Sequence, residues 1–232
     1  MENTQLTPEQ SLLQGYALNY NRVLYKHDSP DQSRVSMTQR IKNYLIGGIP
    51  IPNILDIGSG PQSIEKQLLD MRRIKYPTRY NFFSLDKARI AKARLLAKKY
   101  KVDHVPADGT ILPFPDSKFG LVFSNHAIDF MPRVAINEAY RVLANYGIAI
   151  FYLHHPSMIP EDLNQADNKD VRGYWSYLKE NNLLFSSREQ INKTLQNAGF
   201  TDITVSINRD ELEGEQWWEV IAKTPPVNSD SL

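Results

Sequence analysis

Strand-like apolar runs alternate with helix-patterned stretches from Pro52 to Leu153, and this alternation calls for an α/β fold, a parallel sheet with helices on both faces. Two further observations sharpen that expectation. The first run, Asn53-Ile54-Leu55-Asp56-Ile57, ends in a carboxylate followed by Gly58-Ser59-Gly60, so a buried strand feeds a turn free of side-chain bulk that a ligand can approach. The last two runs, Ile203 to Ile207 and Trp217 to Ala222, are separated only by a polar loop, which favours an antiparallel pair at the sheet edge.

Taken in order, the chain opens with an N-terminal helical extension. Apolar residues at Leu12, Leu13, Tyr16, Ala17, Tyr20, Val23 and Leu24 share one helical face behind a Thr7-Pro8 start. A second helix spans about Gln32 to Leu45 and is closed by Gly47-Gly48. Strands follow at Ile54 to Ile57, Tyr80 to Leu85, His104 to Val105, Leu121 to Ser124 and Ile148 to Leu153. Helices intervene at Ser63 to Arg72, Ala88 to Tyr100 and Pro132 to Leu143. The polar stretch from Pro156 to Asn182, with Tyr174, Trp175 and Tyr177 embedded, reads as an insertion over the sheet. Ser186-Ser187-Arg188-Glu189 is a capping box for a helix ended by Gly199, and Pro225-Pro226 begins a frayed tail. The boundaries are a helical cap over 1–48, a main domain over 49–224 with the insertion at 156–182, and a tail over 225–232.

Composition excludes several functions. With 232 residues and 41% hydrophobic side chains, the chain can bury one core of ample size. The formal charge is +1, from 27 basic and 26 acidic groups, so no general field draws a polyanion, and a nucleic-acid partner is not expected. There is no cysteine, which removes disulfides, thiolate metal sites and cysteine nucleophiles; no metal is assigned. No apolar run approaches the roughly 20 residues that span a bilayer, and the polar, acidic start is unlike a secretory signal, so a soluble cytoplasmic protein with no membrane partner is expected.

In an open parallel sheet, ligands bind beyond the carboxyl ends of the strands, so the residues ending the first strands carry the information. The first strand ends at Asp56 before the glycine turn. The second ends in Ser84-Leu85-Asp86, twenty-six positions after Gly60, where a carboxylate accepts both hydroxyls of a ribose. The third leads to Ala107-Asp108-Gly109, where a carboxylate beside a flexible amide can accept from an adenine amino group and donate to a ring nitrogen.

These pieces, with Asp108-Gly109-Thr110-Ile111-Leu112-Pro113-Phe114-Pro115-Asp116 and Phe119-Gly120-Leu121-Val122, resemble the class I S-adenosylmethionine-dependent methyltransferases, particularly the widespread small-molecule type. Glu138 to Leu143 with Asn145-Tyr146-Gly147 also resembles the helix and turn before that family's fifth strand. The resemblance covers residues 52 to 153. It implies a Rossmann-like, seven-stranded, mostly parallel sheet with an antiparallel last strand, and S-adenosyl-L-methionine as cofactor. It further implies that Gly58 and Gly60 admit the methionine end, Asp86 the ribose, and Asp108 with Gly109 the adenine, with Asp56, Ser59 and Lys87 also in the cofactor site. Ser124 and Asn125 would line the sulfonium side, and Tyr20 from the N-terminal helix would close over the cofactor. Two positions depart from the pattern: Gln62 stands where a third glycine is common, and Gly120 where an aspartate is usual.

Methyl transfer from a sulfonium is an in-line displacement in which the protein supplies alignment and desolvation. A base helps where the acceptor carries a proton, and His126, past the fourth strand, and His154 with His155, past the fifth, stand where one would be needed. His126 and His155 are the candidates. The expected activity is methyl transfer to a small-molecule acceptor. A non-catalytic binding protein of the same fold is the alternative, with a nicotinamide-dependent oxidoreductase behind it.

Overall fold

The computed structural model describes residues 32–49, 53–59, 63–70, 81–85, 103–105, 107–131, 133–159, 175–176, 178–210 and 214–226. The helices expected from Thr7 to Tyr25 and from Ala88 to Tyr100, most of the 156–182 insertion and most of the tail lie outside them.

Within these residues the chain runs α1 (Gln32–Gly47), β1 (Asn53–Ile57), α2 (Ser63–Asp70), β2 (Asn81–Leu85), β3 (Asp103–Val105) and β4 (Phe119–Asn125). A 3₁₀ turn (Ile128–Phe130), α3 (Val134–Val142), β5 (Leu143–His154), a second 3₁₀ turn (Pro156–Met158), α4 (Arg188–Ala198), β6 (Thr201–Arg209) and β7 (Gln216–Lys223) complete it. The strands form one mixed sheet in the order β3-β2-β1-β4-β5-β7-β6. β1 pairs in parallel with β2 and β4, as do β2 with β3 and β4 with β5; β7 lies antiparallel between β5 and β6. Strand order reverses between β1 and β4, so a crevice opens beyond their carboxyl ends.

Period-two alternation sends side chains to two cores. Leu55, Ile57, Phe119, Val122, Phe151, Leu153, Trp218 and Val220 pack under α3 and α4, through Ile136, Ala139, Ile191 and Leu195. Ile54, Leu121, Phe123, Ile150, Tyr152 and Trp217 pack on the other face, against Met37, Ile41 and Leu45 of α1 and Ile64 and Leu68 of α2. Glu219 adds a polar tie to that face: it accepts from Arg40, Tyr152 Oη (2.8 Å) and Asn208 Nδ2 (2.7 Å), binding α1 to three strands.

Local chemistry explains the ends of the elements. Ser187 Oγ accepts from the Gln190 amide and Gln190 Oε1 accepts from the Ser186 amide, so the cap of α4 is Ser187 with Gln190, one residue later than the Ser186–Glu189 box. Gly199 closes α4 at φ 102°, its amide donating to Gln196 O. β5 starts at Leu143, earlier than expected, because Asn145-Tyr146-Gly147 forms a bulge inside the strand rather than a turn before it: Leu143 pairs with Phe119 and Ile148 with Leu121. Tyr146 takes the left-handed conformation the bulge requires (φ 59°).

Candidate active site

Three strand tips meet beyond the carboxyl end of the sheet. Gly58 has φ 77°, and a Cβ there would collide with the Cβ of Ala127, so the turn after β1 and the loop after β4 are in direct contact. A Cβ on Gly109 would collide with Met131 Sδ and reach within 3.4 Å of Ile57 Cγ2, which brings the Asp108–Gly109 segment onto the same tips. Ser124 fastens them: its Oγ donates to Ile57 O (2.7 Å) and accepts from the Ile128 amide (3.0 Å). Asn125 Nδ2 donates to Ser33 Oγ of α1 (3.3 Å). Gly58, Gly109, Ser124 and Asn125 therefore share one place, with Ser59 next to Gly58.

The acids are less uniform than the sequence implies. Asp108 Oδ1 accepts from the Thr110 amide (3.0 Å) and hydroxyl (2.8 Å), so one of its oxygens serves its own turn. Asp56 is buried, and its neighbour is Glu65 in the first turn of α2, equally buried. Burial pushes the Glu65 carboxyl up to about 7, against hydrogen bonds with its own backbone and with Asp56 that lower it. Tyr20, Gly60, Asp86 and Lys87 lie outside the described residues.

A clamp holds the loop that carries Asp108. Arg141 of α3 donates to Leu112 O (3.1 Å), Phe114 O (2.8 Å), Asp116 Oδ1 (2.7 Å) and Glu138, while Glu138 Oε2 accepts from the Leu112 amide (2.7 Å). Hydrogen bonds from Arg141 outweigh burial and hold the Glu138 carboxyl below its ordinary range.

The histidines separate by strand parity. His154 faces the α1 side of the sheet, its Nδ1 3.0 Å from Asp129 Oδ2, which also accepts from the His154 amide (2.6 Å). His126, at φ 53°, packs on it with ring centroids 4.6 Å apart, and its edge meets Trp217. His155 lies with Trp218, on the opposite side, and its Nδ1 caps the 3₁₀ turn by accepting from the Ser157 amide (3.2 Å). Burial, then the charge of His154, hold His126 well below the ordinary imidazole value, with Asp129 opposing and Arg34 adding. Burial alone would raise Asp129, but the charge and the two hydrogen bonds of His154 prevail and hold it low. Glu65, Asp129 and Arg141 were not singled out from the sequence; a lone carboxylate within Ile128-Asp129-Phe130-Met131 is the signal that could have found the second.

A mixed sheet in this order, with a bulk-free turn at the first strand tip, is the fold of Rossmann-like methyltransferases. Residues 55–151 match the family described as methyltransferase domain. Among curated proteins the chain is similar to malonyl-acyl-carrier protein O-methyltransferase of Halorhodospira halophila, 28% identical over 154 residues, which are 64% of this chain and 48% of that protein. It thus spans about half the length of that relative. Among solved structures it resembles the 1,6-didemethyltoxoflavin-N1-methyltransferase of Burkholderia thailandensis, with TM-score 0.68 and 12% identity, covering 97% of this chain and 93% of that one. It also resembles the (4+2)-cyclase SpnF, with TM-score 0.64 and 15% identity, covering 95% and 97%. At these identities the structural likeness establishes the fold.

Proposed function

We propose that the protein transfers a methyl group from S-adenosyl-L-methionine to a small-molecule acceptor. The observation that carries this reading is the meeting of Gly58 and Gly109 at the tips beside β4, where added side-chain bulk would collide with Ala127 or Met131. When bound, the cofactor supplies an already activated methyl group. Gly58 and Ser59 would pass its methionine end, Asp108 and Gly109 its adenine, Asp86 and Lys87 its ribose, with Tyr20 and Gly60 completing the enclosure. The chain's own work is to orient the acceptor along the displacement line and to exclude water. Acceptor choice is assigned, as part of this proposal, to the 1–48 extension and the 156–182 insertion. The same proposal places the protein in the cytoplasm and gives it no nucleic-acid partner, since a net charge of +1 offers no general attraction to a polyanion.

Calorimetry with S-adenosylhomocysteine and with NAD tests the reading. The first is expected to bind, and Asp86→Ala to weaken it by about 1 kcal/mol or more through lost charge-assisted hydrogen bonds. Binding of NAD alone would overturn the assignment. A second reading, a protein of this fold that binds the cofactor without methyl transfer, draws support from Gly120 and from the likeness to a cyclase. Methylation of any acceptor removes it.

A further inference from the structure

We infer that His126 is the general base of this site and that its acceptor reacts through a nitrogen or oxygen carrying a proton, a reading that rests on the proposed methyl transfer. His126 follows directly on β4, and the next residue, Ala127, abuts Gly58, while the imidazole packs against His154 of β5 and Trp217 of β7. Its backbone is left-handed (φ 53°), a conformation that persists in a non-glycine residue only where its surroundings enforce it. The enforcing contact is the His126 amide donating to Tyr152 O at 2.8 Å. Nδ1 of the ring is buried and has no hydrogen-bond partner among the described residues.

A planar apolar side chain would fill the same space against Trp217 and need no carboxylate nearby. Here a carboxylate is present. Asp129 is almost fully buried and takes two hydrogen bonds from His154, and its other oxygen has no partner among the described residues. Accepting from His154 Nδ1 fixes that ring as the Nδ1–H tautomer, and His154 in turn sets the plane on which His126 packs. The charged and titratable groups facing His126 are His154 from β5, Asp129 from the 3₁₀ turn and Arg34 from α1. Burial, then the His154 charge, favours the neutral imidazole that a base must start as, and the Asp129 charge opposes them in favour of the imidazolium. Asp129 and His154 are positioning residues.

The step balances. The acceptor heteroatom forms a bond to the methyl carbon as the carbon–sulfur bond breaks with its electron pair passing to sulfur, and the acceptor's proton moves to His126 and from there to solvent. An acceptor whose reacting atom has no proton, such as a tertiary amine, has no use for this arrangement.

The test uses the full chain as wild type, His126→Gln and Asp129→Asn. Calorimetry with S-adenosylhomocysteine comes first: failure of the wild type to bind counts against the proposed function, whereas similar binding by all three shows the variants folded. Ring-nitrogen NMR of the complexes then reads the base directly. His126 is expected to be neutral at pH 7 and to titrate below the ordinary value of about 6.5, and Asp129→Asn is expected to shift the ring signals of both His126 and His154. An imidazolium at His126 at pH 7, or unmoved signals in Asp129→Asn, overturns the inference. Transfer of labelled methyl to benzimidazole and catechol, set against pyridine and trimethylamine, gives the acceptor class. Transfer to the first pair falls at least about 100-fold in His126→Gln; transfer confined to the second pair overturns the inference, and where none of the four compounds is methylated the NMR titration alone decides.

Discussion

Replacing Gly58 by alanine probes the contact on which the site is built. Two costs combine. At φ 77° an alanine is in the left-handed region, worth about 1–2 kcal/mol. Its Cβ would also fall on the Cβ of Ala127, and relieving such overpacking costs about 1–3 kcal/mol. For a chain of this size each kcal/mol moves the melting temperature by about 2–4 °C, so Gly58→Ala should lower it by at least about 4 °C. Thermal unfolding followed by circular dichroism measures this, and calorimetry on the folded variant should show weakened binding of S-adenosylhomocysteine. Adding Ala127→Gly removes the collision but not the backbone cost, so the double variant should recover only the packing share. A melting temperature within about 1 °C of wild type for Gly58→Ala, or complete rescue by Ala127→Gly, refutes this account of the turn.

Other outcomes follow from the same geometry. Ser124→Ala leaves the buried Ile128 amide and Ile57 carbonyl unpaired and should cost about 1–3 kcal/mol in urea unfolding; a neutral result would show that the hydroxyl does not fasten the tips. Arg141→Ala should destabilise by about 1–3 kcal/mol and speed amide hydrogen exchange in the 108–116 loop, which unchanged exchange would contradict. Glu65 is an acid whose folded-state value is raised to about 7, so its contribution is fully present below its ordinary value of 4.5 and is lost as pH rises toward 7. Glu65→Gln should flatten the fall of the urea midpoint across that interval, and an identical pH profile would exclude the buried proton.

The sequence exposed whatever depends on backbone pattern. β1 and its glycine turn, the start of α4 to within one residue, its close at Gly199, and the β6–β7 pair are written in alternation, turn residues and capping chemistry, all local. The start of β5 was hidden because Asn145-Tyr146-Gly147 carries ordinary turn chemistry, and only the neighbouring β4 makes a bulge of it. The site split along the same line. Gly58, Asp108, Gly109, Ser124 and Asn125 follow strand ends, so order along the chain located them. The partners of Asp56, Asp108 and His154 did not follow, since Glu65, Thr110 and Asp129 acquire their roles through burial and turn geometry. Two adjacent histidines looked alike in sequence; strand parity sends His154 to Asp129 and His155 to Ser157.

The place of β7, inserted between β5 and β6, has a consequence for biosynthesis. A ribosome releases β6 before the strand that must separate it from β5, so the nascent chain carries a gap in its sheet until Lys223 has cleared the exit tunnel. Until then β5 presents the unpaired edge that Trp217 to Lys223 will cover. Ribosome-bound fragments ending before Gln216 should therefore need chaperones while that edge stays open.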